Sequence, residues 1–304
     1  MKTNFLNCNK NFNCIADKCT DTCCAGWIIS IDEQTAKKYL TNQSNFSTEL
    51  KHNLDLTKNG YVTKQKCERC AFLDENNLCK IYKNLGENAL SEVCTNHPRF
   101  INDFGGLKEV CFSLSCPEAV RLLFEEKNVE VVSEDSNFAV TPNDIDHDFY
   151  FELKKEREQI FSIIKSDVDF REKLLKIYEF TGERNKFKYK KFLKKLAKCD
   201  FTRTKLKDAV KSLYNDKNYT FPHIESENYN ALNNLLFAYV FRFYLTAVFG
   251  ESKATIIKFI LASVYTILLL SQNNSLEEIT RLYSRDIIHS EENLIKLKKL
   301  LSKV

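Results

Sequence analysis

Eleven of the 12 cysteines fall between Cys8 and Cys116, and the rest of the chain holds only Cys199. Their order is Cys14-x4-Cys19-x3-Cys23-Cys24, then Cys67-x2-Cys70-x8-Cys79-x14-Cys94, then Cys111-x4-Cys116. A stretch of about 110 residues so dense in sulfur is built around metal or disulfides, because small hydrophobes would serve a plain core better. The opening MKTNFLNCNKNFNC has no apolar run and no cleavage pattern, so the expected compartment is the cytoplasm, with reduced thiols. Thiolates select zinc, copper(I) or iron–sulfur clusters. A two-knuckle zinc ribbon does not fit, since Cys67 and Cys70 form the single Cys-x2-Cys pair. The ferredoxin run is missing as well. Adjacent Cys23 and Cys24 suit a polynuclear cluster or two sites better than one ion, because consecutive side chains diverge in extended chain. Cys116 precedes Pro117 at an expected helix N-terminus, where the dipole favours thiolate. Cys8, Cys111 and Cys199 read as bystanders.

Beyond the cysteines the chain is ordinary for a globular protein, with 43% hydrophobic and 28% charged residues among 304. Seven glycines include no Gly-x-Gly, which excludes a Rossmann nucleotide loop and a Walker loop. Net charge is uneven. Residues 1–150 carry net −6, 151–220 net +9 and 221–304 net +1. The basic middle reads as a solvated lysine face, because Tyr189, Phe192, Leu193 and Leu196 follow helical spacing. A nucleic-acid role is therefore not expected. The longest apolar stretch, Phe259 to Leu270, is too short for a bilayer and reads as a buried helix, so no membrane is expected.

Periodicity gives a mainly α fold: a Cys-rich metal-binding N-terminal lobe with short strands, followed by an α-helical bundle. The expected division is 1–127 for the Cys-rich region, 128–150 for a linker and 151–304 for the helical domain. In the lobe, 27–31 reads as a buried strand. A helix capped by Asp32 follows. Residues 41–66 read as loop, and 107–115 as a strand with Val110, Phe112 and Leu114 on one face. Pro117 then opens a helix. Helices are expected at 150–165, 169–180, 186–199, 203–214, 228–249, 252–271, 275–288 and 290–302.

Four stretches carry a resemblance: FNCIADKCTDTCCAGWIISID at 12–32, CAFLDENNLCKIYKNLGENALSEVC at 70–94, TNHPRF at 95–100 and SLSCPEAVRLL at 113–123. They resemble the flagellin lysine N-methylases (FliB-type proteins) and, more loosely, small zinc- or iron-chelating proteins. The resemblance implies S-adenosylmethionine-dependent methylation of flagellin lysines, with an iron–sulfur cluster, of [4Fe–4S] type, held by Cys14, Cys19, Cys23, Cys24, Cys70, Cys79, Cys94 and Cys116. Zinc is the alternative metal. Cys8, Cys67, Cys111 and Cys199 are additions of this chain, and His97 stands where the family commonly has an aromatic. The candidate catalytic residues are Tyr82 and Arg99. Arg99 could also bind the donor's carboxylate, and Trp27, the single tryptophan, its adenine. The competing expectation is a non-enzymatic zinc- or iron-binding interaction module.

Overall fold

The apolar stripes of the C-terminal half become packed helices, and the cysteine-rich stretch becomes short strands and turns. In the computed structural model, residues 2–135, 145–184, 187–216 and 219–303 are described. The chain divides into two units, Met1–Phe12 with Ile101–Val304, and Asn13–Phe100.

In the Asn13–Phe100 unit, strand Gly60–Thr63 pairs antiparallel with Ser30–Ile31 on one side and Leu54–Thr57 on the other. The stretch read as loop over 41–66 thus contains a hairpin and a helix, Ser47–His52. Its turn is Lys58-Asn59, and Gly60, which opens the second strand opposite Thr57, takes φ +109, a conformation that glycine adopts without strain. The strand expected over 27–31 shrinks to Ser30–Ile31. Helix Glu33–Leu40 starts as read: the Asp32 carboxylate accepts from Thr35 N at 2.8 Å. Its other oxygen accepts from Glu92 N at 3.0 Å and so fastens helix Glu92–Asn96 to the same carboxylate. Burial works against this charge, but the hydrogen bonds from Glu92 and Thr35 outweigh it and hold the carboxyl below the usual range. Its contribution is therefore complete above about pH 4 and is lost as acid titrates the folded carboxyl. Replacing Asp32 with alanine is expected to cost about 1–2 kcal/mol at neutral pH and less in acid, which urea unfolding at two pH values checks. The core of this unit joins Ile29, Ile31, Ala36, Tyr39, Phe46, Leu50, Leu54, Phe72 and Ile81. Phe72 centres it, with Tyr39 and Phe46 rings 6.5 and 6.2 Å away.

The other unit carries a four-stranded sheet in the order Arg99–Asp103, Leu107–Phe112, Lys2–Leu6, Val131–Asp135. Lys2–Leu6 runs parallel to Leu107–Phe112 and antiparallel to Val131–Asp135. These pairings place residues 1–12 and 101–127 with the helices, where the sequence reading grouped them with the cysteine-rich stretch. The linker expected at 128–150 lies partly outside the described residues, at 136–144. Its described parts supply strand Val131–Asp135 and the start of helix His147–Lys165. The remaining helices follow the apolar periodicity: Phe170–Glu179, Tyr189–Leu196, Thr204–Asp216, Ser226–Phe243, Lys253–Ser271, Leu276–Tyr283 and Glu291–Leu301. The segment expected as one helix over 228–249 ends in a 3-10 stretch, Tyr244–Phe249. That over 275–288 ends in a π turn, Ser284–Ile288.

Ser226–Phe249 and Lys253–Ser271 are long and apolar enough to cross a bilayer, but 72% and 83% of their most apolar windows are buried, as in core helices. In the lysine-rich helix Tyr189–Leu196, Phe192, Leu193 and Leu196 are buried while Lys190, Lys191 and Lys194 face solvent. The strand Leu107–Phe112 differs from its reading. Glu109 and Cys111 are its buried residues, and Val110 and Phe112 are half-buried. Glu109 goes inward because Arg157 meets it there, both 1% exposed, with two hydrogen bonds of 2.7 Å.

Candidate metal centre

Backbone pairing in the Asn13–Phe100 unit brings cysteines from four separate stretches to one side of the core. Cys70 N donates to Cys24 O at 2.7 Å, and Gly26 N donates to Glu68 O at 2.8 Å, which lays the Cys-Cys pair along the Arg69–Cys70 strand. Cys67 and Glu68 turn that hairpin with positive φ. Cys70 O accepts from Leu73 N, and Leu73 bridges to Cys79. Cys79 in turn stands at the N-cap of helix Lys80–Leu85. Cys94 sits in helix Glu92–Asn96, which Ser91 caps and Asp32 anchors.

The result is a set of four. Cys70 is buried in the core, and Cys24, Cys79 and Cys94 pack against it. Each of the four thiols acts electrostatically on the other three. Burial pushes the Cys94 thiol up to about 12 and raises Cys70 and Cys79. Cys24 is raised too, first by the neighbouring Cys23, whose sulfur lies 4.0 Å away, and then by burial. One buried and three partly buried thiols, all with raised pKa, are poor thiolates unless a positive charge sits among them. A thiophilic metal supplies that charge and deprotonates them on binding. Four sulfurs with no carboxylate fit zinc or an iron–sulfur cluster and do not fit magnesium or calcium. Among the described residues, no three Cys, His, Asp or Glu side chains already close on a single point.

The other cysteines named from the sequence are not among the residues of this core. Cys14 is exposed, and the Cys19 thiol donates to Asp21 O at 2.9 Å; neither belongs to this core. Cys23 is exposed beside Cys24. Cys116 belongs to the helical unit and stands at the N-cap of helix Pro117–Glu125. Cys8, Cys111 and Cys199 are buried in that same unit, and Cys67 is exposed on its hairpin. Trp27 packs against the core of the Asn13–Phe100 unit, with its ring 6.2 Å from that of His97. Burial first, and Arg99 second, lower His97 to about 4, so its ring is neutral at pH 7. Tyr82 is 53% exposed, and Arg99 is exposed on its strand.

Two residues of the site escaped sequence reasoning. Arg69 is the cation whose charge acts on Cys24, and its guanidinium is oriented by a hydrogen bond to Asn77 Oδ1. Its place between Cys67 and Cys70 was the available signal. Tyr39 feels Cys94, Cys79 and Cys70, and its hydroxyl donates to Ala89 O at 2.5 Å. As one apolar-face residue of a helix, it carried no signal at all.

Residues 13–112 match the family model described as "Putative zinc- or iron-chelating domain". Among curated proteins, the flagellar biosynthetic protein FliU of Salmonella muenchen is 32% identical over 136 residues, 42% of this chain and 80% of FliU. The chain belongs to the FliU and lysine-N-methylase family. Two further members are the proteins named lysine-N-methylase of Salmonella choleraesuis and Salmonella typhimurium. They are 31% and 32% identical over 131 and 130 residues, 41% and 40% of this chain. The matched segments cover 33% and 32% of those two family members. No solved structure matches this chain.

Proposed function

We propose that this chain is a cytoplasmic protein-lysine N-methyltransferase acting on flagellin. Its methyl donor is S-adenosylmethionine, and an iron–sulfur cluster is bound through Cys24, Cys70, Cys79 and Cys94. The observation that carries the reading is the convergence of those four thiols in a chain of this family. When bound, the cluster supplies positive charge that keeps the thiols ionised and fixes the four stretches of chain that carry them.

Methylation of a lysine joins the methyl carbon to Nζ as the methyl–sulfur bond breaks, and Nζ gives up a proton. A lysine amine has a reference pKa of about 10.4, so the site must desolvate it or take its proton first. We assign Tyr82 to the amine, Arg99 to the donor's carboxylate as a bidentate partner, and Trp27 to the adenine. Asp32 is spent as a double cap and takes no part.

A second reading has its own support. Four thiolates saturate a zinc ion or a cubane, and sites without an open position are structural. On that reading the metal staples the Asn13–Phe100 unit, and the chain is a non-enzymatic interaction module. The mass of flagellin co-expressed with this chain separates the two. The enzyme adds 14 Da steps, roughly one per methyl group, that vanish with Cys79→Ser. Unmodified flagellin beside soluble, metal-loaded chain rejects the methylase.

A further inference from the structure

The Cys23-Cys24 pair divides between solvent and core. Cys24 packs against the core of the Asn13–Phe100 unit with Cys70, Cys79 and Cys94, whereas Cys23 is exposed. The backbone fixes this division. Cys24 O accepts from Cys70 N at 2.7 Å and Gly26 N donates to Glu68 O at 2.8 Å, so the chain is tied to the Arg69–Cys70 hairpin on both sides of Ala25. Cys24 N donates to Thr22 Oγ1 at 3.1 Å, across the residue between them, Cys23. The two sulfurs nevertheless lie 4.0 Å apart.

That contact gives the exposed thiol a chemistry of its own. Oxidants select accessible thiolates, and Cys23 is an accessible sulfur touching one of the four thiols of the proposed centre. The Arg69 charge acts on Cys24 in favour of its thiolate, the form that attacks a neighbouring sulfur.

We propose that Cys23 and Cys24 are a redox-labile pair, whose oxidation by a peroxide to a vicinal disulfide withdraws Cys24 from the metal centre and frees the metal. The release step rests on the four-thiol centre proposed above; the disulfide does not. The Cys23 thiolate attacks hydrogen peroxide, breaks its O–O bond and becomes a sulfenic acid as hydroxide leaves. The Cys24 thiolate then attacks the Cys23 sulfur, the S–S bond forms, and the sulfenic oxygen leaves as hydroxide. Both electrons come from the two sulfurs, and the two thiol protons turn the two hydroxides into water. Adjacent Cα atoms are about 3.8 Å apart, closer than the roughly 4.4–6.8 Å that an ordinary disulfide spans, so the bond is strained and readily reduced. A thiol reductant therefore reverses the change.

Hydrogen peroxide added to the full chain loaded with zinc, a metal without redox chemistry, tests the proposal. In wild-type protein the peptide holding both residues should become about 2 Da lighter as its two thiol hydrogens leave. Free zinc, read with a chromogenic chelator, should appear in step with that loss. Zinc affinity should fall by more than the roughly 10–100-fold that follows loss of an outer-shell partner. Dithiothreitol and fresh zinc should restore the loaded chain. Cys23→Ser should bind zinc and keep it at the same peroxide dose, while Cys14→Ser behaves as wild type. Equal zinc loss from Cys23→Ser, a Cys23→Ser chain that takes up no zinc, or a disulfide from Cys23 to Cys19 or Cys67 would overturn the proposal. A wild-type chain that closes the Cys23–Cys24 bond but never binds zinc would reject the metal centre and the release step together, and leave the disulfide supported.

Discussion

Glu109→Ala is expected to lower the stability of the helical unit by about 3–5 kcal/mol, a loss large enough to show in urea unfolding. The reason is the environment of its partner. Arg157 is 1% exposed, donates to both carboxylate oxygens of Glu109, and lies 5.5 and 5.4 Å from the Phe161 and Phe241 rings. Its Nε has no hydrogen-bond partner even with Glu109 present. Removing the carboxylate leaves a buried guanidinium with the two rings as its remaining support, and cation–π contact is worth about 0.5–2 kcal/mol, too little to replace it. The double variant Glu109→Leu with Arg157→Met should recover most of the loss, because it removes both desolvated charges and keeps apolar volume. A single-variant loss under about 1 kcal/mol would show that the pair is not sealed from water.

Cys79→Ser should have the other large effect, on the Asn13–Phe100 unit. A metal that binds only the folded form contributes its whole binding free energy to folding, on the order of 10 kcal/mol for four-cysteine sites. The apolar core of this unit is small, and short strands and helices of eight residues or fewer connect it. The variant is expected to lose protection of the Tyr39, Phe72 and Ile81 amides in hydrogen exchange, as is wild-type protein after its metal is stripped. Protection in the helical unit, reported by Leu261 and Val264, should stay unchanged. Equal protection of Phe72 with and without metal would mean that the thiols contribute nothing to folding.

Much of this fold was legible because it is local. Lys253–Ser271 announces itself through a long apolar run and Glu291–Leu301 through its apolar period, and the Asp32 cap sits where the sequence puts it. Non-local pairing was not legible. Nothing in Lys2–Leu6 shows that it will lie beside Leu107–Phe112, more than 100 residues later. Glu109 was hidden for the same reason: its inward position makes sense only with Arg157, which another helix supplies. The hairpin over 54–63 was missed because its strands are largely exposed and weakly alternating, so Gly60 just after the Lys58-Asn59 turn was the main clue. At the site, the presence of a sulfur centre was plain from cysteine density. The choice of Cys24, Cys70, Cys79 and Cys94 among eight candidates was not, because it depends on backbone bonds such as Cys70 N to Cys24 O.

Iron, zinc and acid-labile sulfide, measured per chain on anaerobically purified protein, test the four-thiol centre most directly. The account predicts about four irons with matching sulfide, lost when any one of Cys24, Cys70, Cys79 or Cys94 becomes serine and retained when Cys14 does. Metal-free wild-type protein, or a full complement of metal in the Cys79→Ser chain, would contradict it.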